Sequence, residues 1–216
     1  MSERKPFGVA IVGCGNISRG YAQTMGIPSG KVRLVGAFDV DGARAETLTE
    51  EFGGTEARVY KSLEQLFDDR AVEAVINLTT YQHHFEVTSR CLQAGKHVHS
   101  EKPIAPDPAQ AQQLVELAKR NGVRLSAAPT TFLGEAAQTA AKIIRDGTLG
   151  PIRVVYAEMN HGRIEAWHPA PASFYAIGPL FDVGVYPLTI LTAFLGPVAR
   201  VSGFGKIVWP ARVRPE

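Results

Sequence analysis

Gly13 and Gly15 stand in the run VAIVGCGNIS, directly after an apolar strand-like stretch and directly before a helical one. In that setting two glycines can hold an anion. Gly13 permits the tight turn, and Gly15, lacking a Cβ, lets the main chain approach a pyrophosphate resting on the N–H groups of the helix N-terminus. Ser18 fills the third glycine position of this pattern, which predicts slightly looser helix-to-strand packing and an intact phosphate site. Asp39 closes the next strand-like run, about 20 residues further on, where a carboxylate accepts hydrogen bonds from a ribose. The same acid repels a 2′-phosphate, so the expected cofactor is NAD rather than NADP.

A second set of residues could act on an alcohol. Lys102 ends the fifth strand-like run and precedes Pro103, at the carboxyl edge of the expected sheet. A cation there would stabilise an alkoxide during hydride transfer; the structural alternative is a solvated lysine. Asp182 and Tyr186 are spaced i,i+4 in the apolar helical run PLFDVGVYPLTILTAFLG, which puts both on one face. Such groups on an apolar helix fit a pocket better than open water, with a purely structural hydrogen-bonding role as the alternative. His161, Trp167, His168 and Tyr175 bracket a Pro-rich loop where rings could stack on a sugar. His168 is taken as the substrate contact, against the alternative that these groups only pin the loop. His97 and His99 read as core histidines, and Cys14, held between glycines, as an unreactive thiol. No grouping calls for a metal.

These residues need elements to hold them. From the start to about Ala127, β-type runs (GVAIVG, VRLVGAF, ARVY, VEAVINL, KHVHS, VRLSA) alternate with helical stretches beginning near Ser18, Gly42, Ser62, His84 and Asp107. That alternation is the signature of an α/β fold, a Rossmann doubly wound parallel sheet. Beyond it come a helix (GEAAQTAAKIIRDGTLG), a strand-like segment (PIRVVYAEMNHG), the Pro-rich loop, the apolar helix and a second strand-like run (VARVSGFGKIVW). The domains are therefore read as 1–128, binding the dinucleotide, and 129–216, a partial α+β domain with an antiparallel sheet.

The hydrophobic share of 45% supports a folded core. Lys and Arg number 23 against 21 acidic residues, with no positive cluster long enough to track phosphates, so nucleic acid is not an expected partner. The start, MSERKPFGVAIVGCG, goes straight into a strand-like run without the apolar stretch of a signal peptide. No apolar run is read as long enough to span a bilayer, so no membrane partner is expected. Cys14 and Cys91 form no disulfide framework, which fits a reducing cytoplasm.

The segment TTYQHHFEVTSRCLQAGKHVHSEKPIA, taken with GCGNIS before it and GPLFDVGVYPLTILTAFLG after it, resembles the Gfo/Idh/MocA oxidoreductase family, which includes glucose-fructose oxidoreductase and inositol dehydrogenase. AGKHVHSEKP, close to the family's AGKHV-x-x-EKP, is the most specific part, and the resemblance covers nearly the whole chain. It implies a substrate lying between the two domains against the nicotinamide. Position by position, Lys102 matches the lysine of EKP, Asp182 the aspartate of D-x-G-x-H, and Tyr186 its histidine. That last departure shifts the expected base from imidazole to phenol. His84 matches the histidine of T-P-N-x-x-H, although Thr80 and Tyr81 replace its proline and asparagine; Thr189 stands where an acid or amide is common.

The cofactor-binding set so read is Gly13, Gly15, Asn16, Ile17, Asp39, Thr79, His84, Glu101 and Lys102. The catalytic set is Lys102, Asp182 and Tyr186. The implied activity is NAD-dependent oxidation of an alcohol carbon on a sugar, cyclitol or related polyol. A non-catalytic dinucleotide-binding module or truncated sensor, and a reductase of a non-sugar carbonyl, are the alternatives. Family members continue beyond WPARVRPE, so the second domain is expected to be partial, with a homo-oligomer forming through its sheet.

Overall fold

Alternation along β1 (Phe7–Val12) sends Ala10 and Val12 to one side and Ile11 to the other, and all three are buried. A strand buried on both faces belongs to the centre of a parallel sheet covered by helices. The computed structural model describes residues 5–25, 31–168 and 170–211. In it the chain divides into two compact units, Met1–Ala128 and Pro129–Glu216. In the first, β1 is joined by β2 (Val32–Phe38), β3 (Arg58–Val59), β4 (Ala74–Asn77), β5 (His97–Ser100) and β6 (Leu125–Ala127). All pair in parallel, in the order β3-β2-β1-β4-β5-β6. The strand order reverses between β1 and β4, the switch point outside whose carboxyl ends such sheets bind ligands.

The connecting helices are α1 (Ser18–Met25), α2 (Gly42–Phe52), α3 (Leu63–Asp68), α4 (Tyr81–Gln93) and α5 (Pro108–Arg120). Ser62 caps α3 by accepting the Gln65 amide, and Asp107 caps α5 by accepting that of Ala109, the usual role of such side chains. On one sheet face Ala22, Ala45 and Leu48 of α1 and α2 pack against Ile11, Leu34 and Ala37. On the other, Leu66, Val87, Leu92 and Leu114 of α3, α4 and α5 cover Val12, Val75 and Val98. Full burial of each large aliphatic side chain contributes about 1.5–3 kcal/mol. The expected strands and helices are present, with one shift: α4 begins at Tyr81 and not near His84, which places His84 inside its first turn.

The second unit contains α6 (Glu135–Arg145), α7 (Ala172–Pro179) and α8 (Val185–Leu195), with a π turn, Leu180–Gly184, joining the last two. Here the antiparallel sheet expected from the sequence is not formed: residues 151–163 and 198–209 make no strand, and all are exposed. Strand propensity becomes a strand only through a hydrogen-bonded neighbour, and among the described residues these runs pair with none. Their apolar side chains, such as Val201 and Phe204, are bare.

The reading that no apolar run could span a bilayer also needs correction. Ala172–Leu195, 24 residues with a mean hydropathy of 1.4, is long and apolar enough by length and composition. Gly178, at φ 76° and ψ 164°, breaks the helical geometry within it, so the run is not one straight rod. Pro169, within the Pro-rich loop, lies outside the described residues, as do the first four residues and the last five.

Candidate functional site

The chain leaves β1 at Val12 and turns at once. Gly13 sits at φ 90°, and a Cβ there would lie 2.7 Å from the Leu78 carbonyl and the Thr79 nitrogen. Only glycine lets the turns after β1 and β4 touch at the switch point. Gly15 has the opposite surroundings, since a Cβ there would meet nothing within 4 Å. Its missing side chain is not demanded by the protein's own packing, and the residue stands three positions before Ser18, where α1 begins and a helix N-terminus favours an anion. Asn16 and Ile17 are exposed on the rim of this turn. Ser18 does not loosen the packing as the sequence suggested: it is 1% exposed, and its hydroxyl donates to the Gly15 carbonyl at 2.7 Å.

Asp39, at the end of β2, is fixed from two sides. Its Oδ2 accepts the Cys14 amide at 2.6 Å and its Oδ1 the Asp41 amide at 2.8 Å. The Gly13 amide donates to the Phe38 carbonyl, so the glycine turn and the acid are tied together. Each carboxylate oxygen has a second lone pair for a ribose hydroxyl. Arg44, the nearby cation, pairs with Asp41 at 3.1 Å. Burial, with Asp39 adding to it and Arg44 opposing, pushes the Cys14 thiol up to about 12.

Behind β4 and β5 lies a buried polar knot. Asn77, fully buried, accepts from the Thr79 hydroxyl at 2.7 Å and amide at 3.2 Å through Oδ1. Its Nδ2 donates to the His84 carbonyl and the Thr88 hydroxyl, and its carbonyl accepts the Glu101 amide at 2.9 Å. His84 is 2% exposed, its Nε2 lying 2.8 Å from the Thr79 carbonyl and its Nδ1 2.7 Å from that of Pro103. Glu101 takes the Tyr21 hydroxyl at 2.8 Å on one oxygen and the Lys102 amide at 2.9 Å on the other. His99, beside Tyr21 and bonded to Ser126, titrates below its usual range because of burial, with Glu101 opposing. Lys102 follows Glu101 at the strand ends, half-buried. Gly13, Gly15, Asp39, Thr79, Glu101 and Lys102 thus gather at the carboxyl ends of β1, β2, β4 and β5.

In the second unit, Asp182 lies in the π turn and is 6% exposed, and Tyr186, half-buried, lies in the first turn of α8. The sequence read them as one α-helix; the structure puts an under-wound turn between them, a feature common at functional sites. His168 packs against Phe174 with ring centroids 4.7 Å apart and edge-on to Trp167. Its Nδ1 accepts the Ala170 amide at 3.0 Å, which leaves the Nε2 edge as its donor when neutral. Tyr175 donates to the buried Glu165. Sequence reasoning missed Asn77 and Tyr21, since an asparagine closing a strand and a tyrosine on a helix carry no motif of their own.

Residues 7–128 match the model of the GFO/IDH/MocA oxidoreductase family, NAD-binding Rossmann fold, and residues 137–214 that of the GFO/IDH/MocA C-terminal domain. The chain is 29% identical over 205 residues to the trans-1,2-dihydrobenzene-1,2-diol dehydrogenase of Mus musculus, covering 91% of this chain and 59% of that enzyme. It is 32% identical over 145 residues to the scyllo-inositol 2-dehydrogenase (NADP(+)) of Bacillus subtilis, covering 66% of this chain and 39% of that enzyme. A crystal structure of a 3-ketoreductase from Actinomadura kijaniata with NADP superposes with a TM-score of 0.68 at 26% identity, over 88% of this chain and 56% of that one. The chain thus spans between 39% and 59% of the length of these relatives.

Proposed function

The chain belongs to the GFO/IDH/MocA oxidoreductase family, and from that premise we propose an NAD-dependent dehydrogenase of an alcohol carbon on a sugar, cyclitol or related polyol. The observation that carries this reading is the glycine turn: Gly13 is required by the protein's own packing, whereas the space beside Gly15 is open. A pyrophosphate fits that space, and the fixed carboxylate of Asp39 fits the adenosine ribose. Its charge favours NAD over NADP, although relatives named above use or bind NADP.

The chemistry the bound nicotinamide supplies is acceptance of a hydride. This chain's residues supply the rest. Thr79, Glu101 and Lys102 hold the nicotinamide side, and the Lys102 ammonium stabilises the substrate oxygen as its proton leaves. The Tyr186 phenol takes that proton as its own passes to the Asp182 carboxylate that orients it, and the Nε2 edge of His168 donates to a substrate hydroxyl. We place the protein in the cytoplasm, as its two buried free cysteines suggest, and propose that it self-associates through the second unit, which light scattering would test.

Incubation with NAD and a panel of polyols, followed by NADH absorbance, tests the activity. Turnover on at least one cyclic polyol is expected. NAD binding without turnover on any alcohol would replace the enzyme by a binding module.

A further inference from the structure

His84 matches a family position read as touching the cofactor, yet its ring is 2% exposed and both nitrogens face main-chain carbonyls. We propose that His84 is a positioning residue: its ring ties the turn after β4 to the segment after β5, and so sets where Thr79 and Lys102 meet the nicotinamide half of the dinucleotide. The inference rests on the cofactor reading above.

The two carbonyls belong to different segments. Thr79 lies just beyond β4, and Pro103 directly follows Lys102. Carbonyl oxygens only accept, so the N–H of the imidazole bonds one of the two while the opposite ring edge abuts the other, and the two contacts, at 2.7 and 2.8 Å, lie on opposite edges of one rigid ring. The separation of the segments is therefore fixed by the width of the ring. Asn77 completes the tie: it holds Thr79 by hydroxyl and amide, receives the Glu101 amide, and grips the His84 carbonyl from the α4 side. No side-chain polar atom in this knot is left without a partner among the described residues, which is the condition for a buried polar network to rigidify its surroundings. The glycine turn and Asp39, assigned to the other half of the dinucleotide in that reading, are held by separate contacts, the Cys14 and Asp41 amides on the Asp39 carboxylate.

The test uses the whole chain, unmodified or carrying His84→Ala or His84→Gln, with two measurements. Calorimetry compares NAD with ADP, which lacks the nicotinamide half; amide exchange by NMR follows Thr79, Glu101 and Lys102 without nucleotide. In His84→Ala, NAD should bind at least tenfold more weakly while ADP stays within about twofold. The three amides should exchange about tenfold faster. His84→Gln, whose amide can replace one ring N–H, should fall between. Equal losses for NAD and ADP would mean general damage to the fold and overturn the proposal. Weakened NAD binding with unchanged exchange would mean a direct contact and overturn it as well. Should the unmodified chain bind neither nucleotide, the cofactor reading fails, and the exchange rates alone decide whether His84 ties the segments.

Discussion

Alanine at Gly13 and alanine at Gly15 add the same methyl group two residues apart, and the structure expects opposite consequences. At Gly13 the new Cβ would lie 2.7 Å from main-chain atoms of Leu78 and Thr79, and φ is 90°. The backbone strain costs about 1–3 kcal/mol, and forcing apart two packed turns about 1–3 kcal/mol more. With about 4 °C lost per kcal/mol in a domain of this size, melting should fall on the order of 10–20 °C. At Gly15 the methyl meets no protein atom and φ lies outside the left-handed range, so stability should stay within about 1 kcal/mol of the unmodified chain. What it does enter is the space of the pyrophosphate. Loss of one charge-assisted hydrogen bond is worth about 1.5–3 kcal/mol, or about tenfold to a hundredfold in NAD affinity. Thermal melts with and without NAD separate the two effects. At 100 times the original Kd, NAD adds about 2.7 kcal/mol to the unmodified chain and should add only about 0.4–1.4 kcal/mol to Gly15→Ala. Undiminished NAD stabilisation in Gly15→Ala would refute the assignment of that space, and unmodified melting in Gly13→Ala would refute the steric argument.

The unmodified chain should bind NAD at least about tenfold more tightly than NADP, and Asp39→Ser should narrow that gap; equal affinities before mutation would show that the Asp39 carboxylate does not select. Tyr186→Phe should lower kcat by about 10²–10⁴-fold and leave NAD affinity nearly unchanged; full turnover in the variant would assign the base elsewhere. His99 has a folded-state pKa lowered by burial, so the unfolded chain binds its proton more readily. The stability from keeping it neutral is complete above its ordinary value of 6.5 and is lost as pH falls through that value toward the lower folded one. Urea midpoints between pH 7.5 and 5.5 should therefore decline more steeply in the unmodified chain than in His99→Gln, and parallel declines would contradict this.

The Rossmann half was legible because its signals are local. Each strand of that sheet is an apolar run closed by a turn, and Gly13, Gly15 and Asp39 fall where strand ends must. His84 was legible as a position but not as a role, since whether an imidazole touches a ligand or two carbonyls depends on segments after β4 and after β5. The second unit resisted for a related reason. Residues 151–163 and 198–209 have strand-like composition, but pairing is a property of the neighbour as much as of the run. The π turn holding Asp182 and the break at Gly178 arise from backbone geometry, which hydrophobic periodicity does not encode.

The two cysteines occupy opposite faces of the same sheet: Cys14 is packed with α1 and α2, Cys91 with α3, α4 and α5. Burial, the largest influence on each, raises both thiols to about 12. At neutral pH almost none of either is thiolate, so neither reacts while its helices stay docked. Each therefore works as a built-in clock for one side of the molecule. Pulsed alkylation followed by mass spectrometry would time the lifting of α1 and α2 from the glycine turn at Cys14, and the lifting of the opposite layer at Cys91, in a single sample without any introduced label.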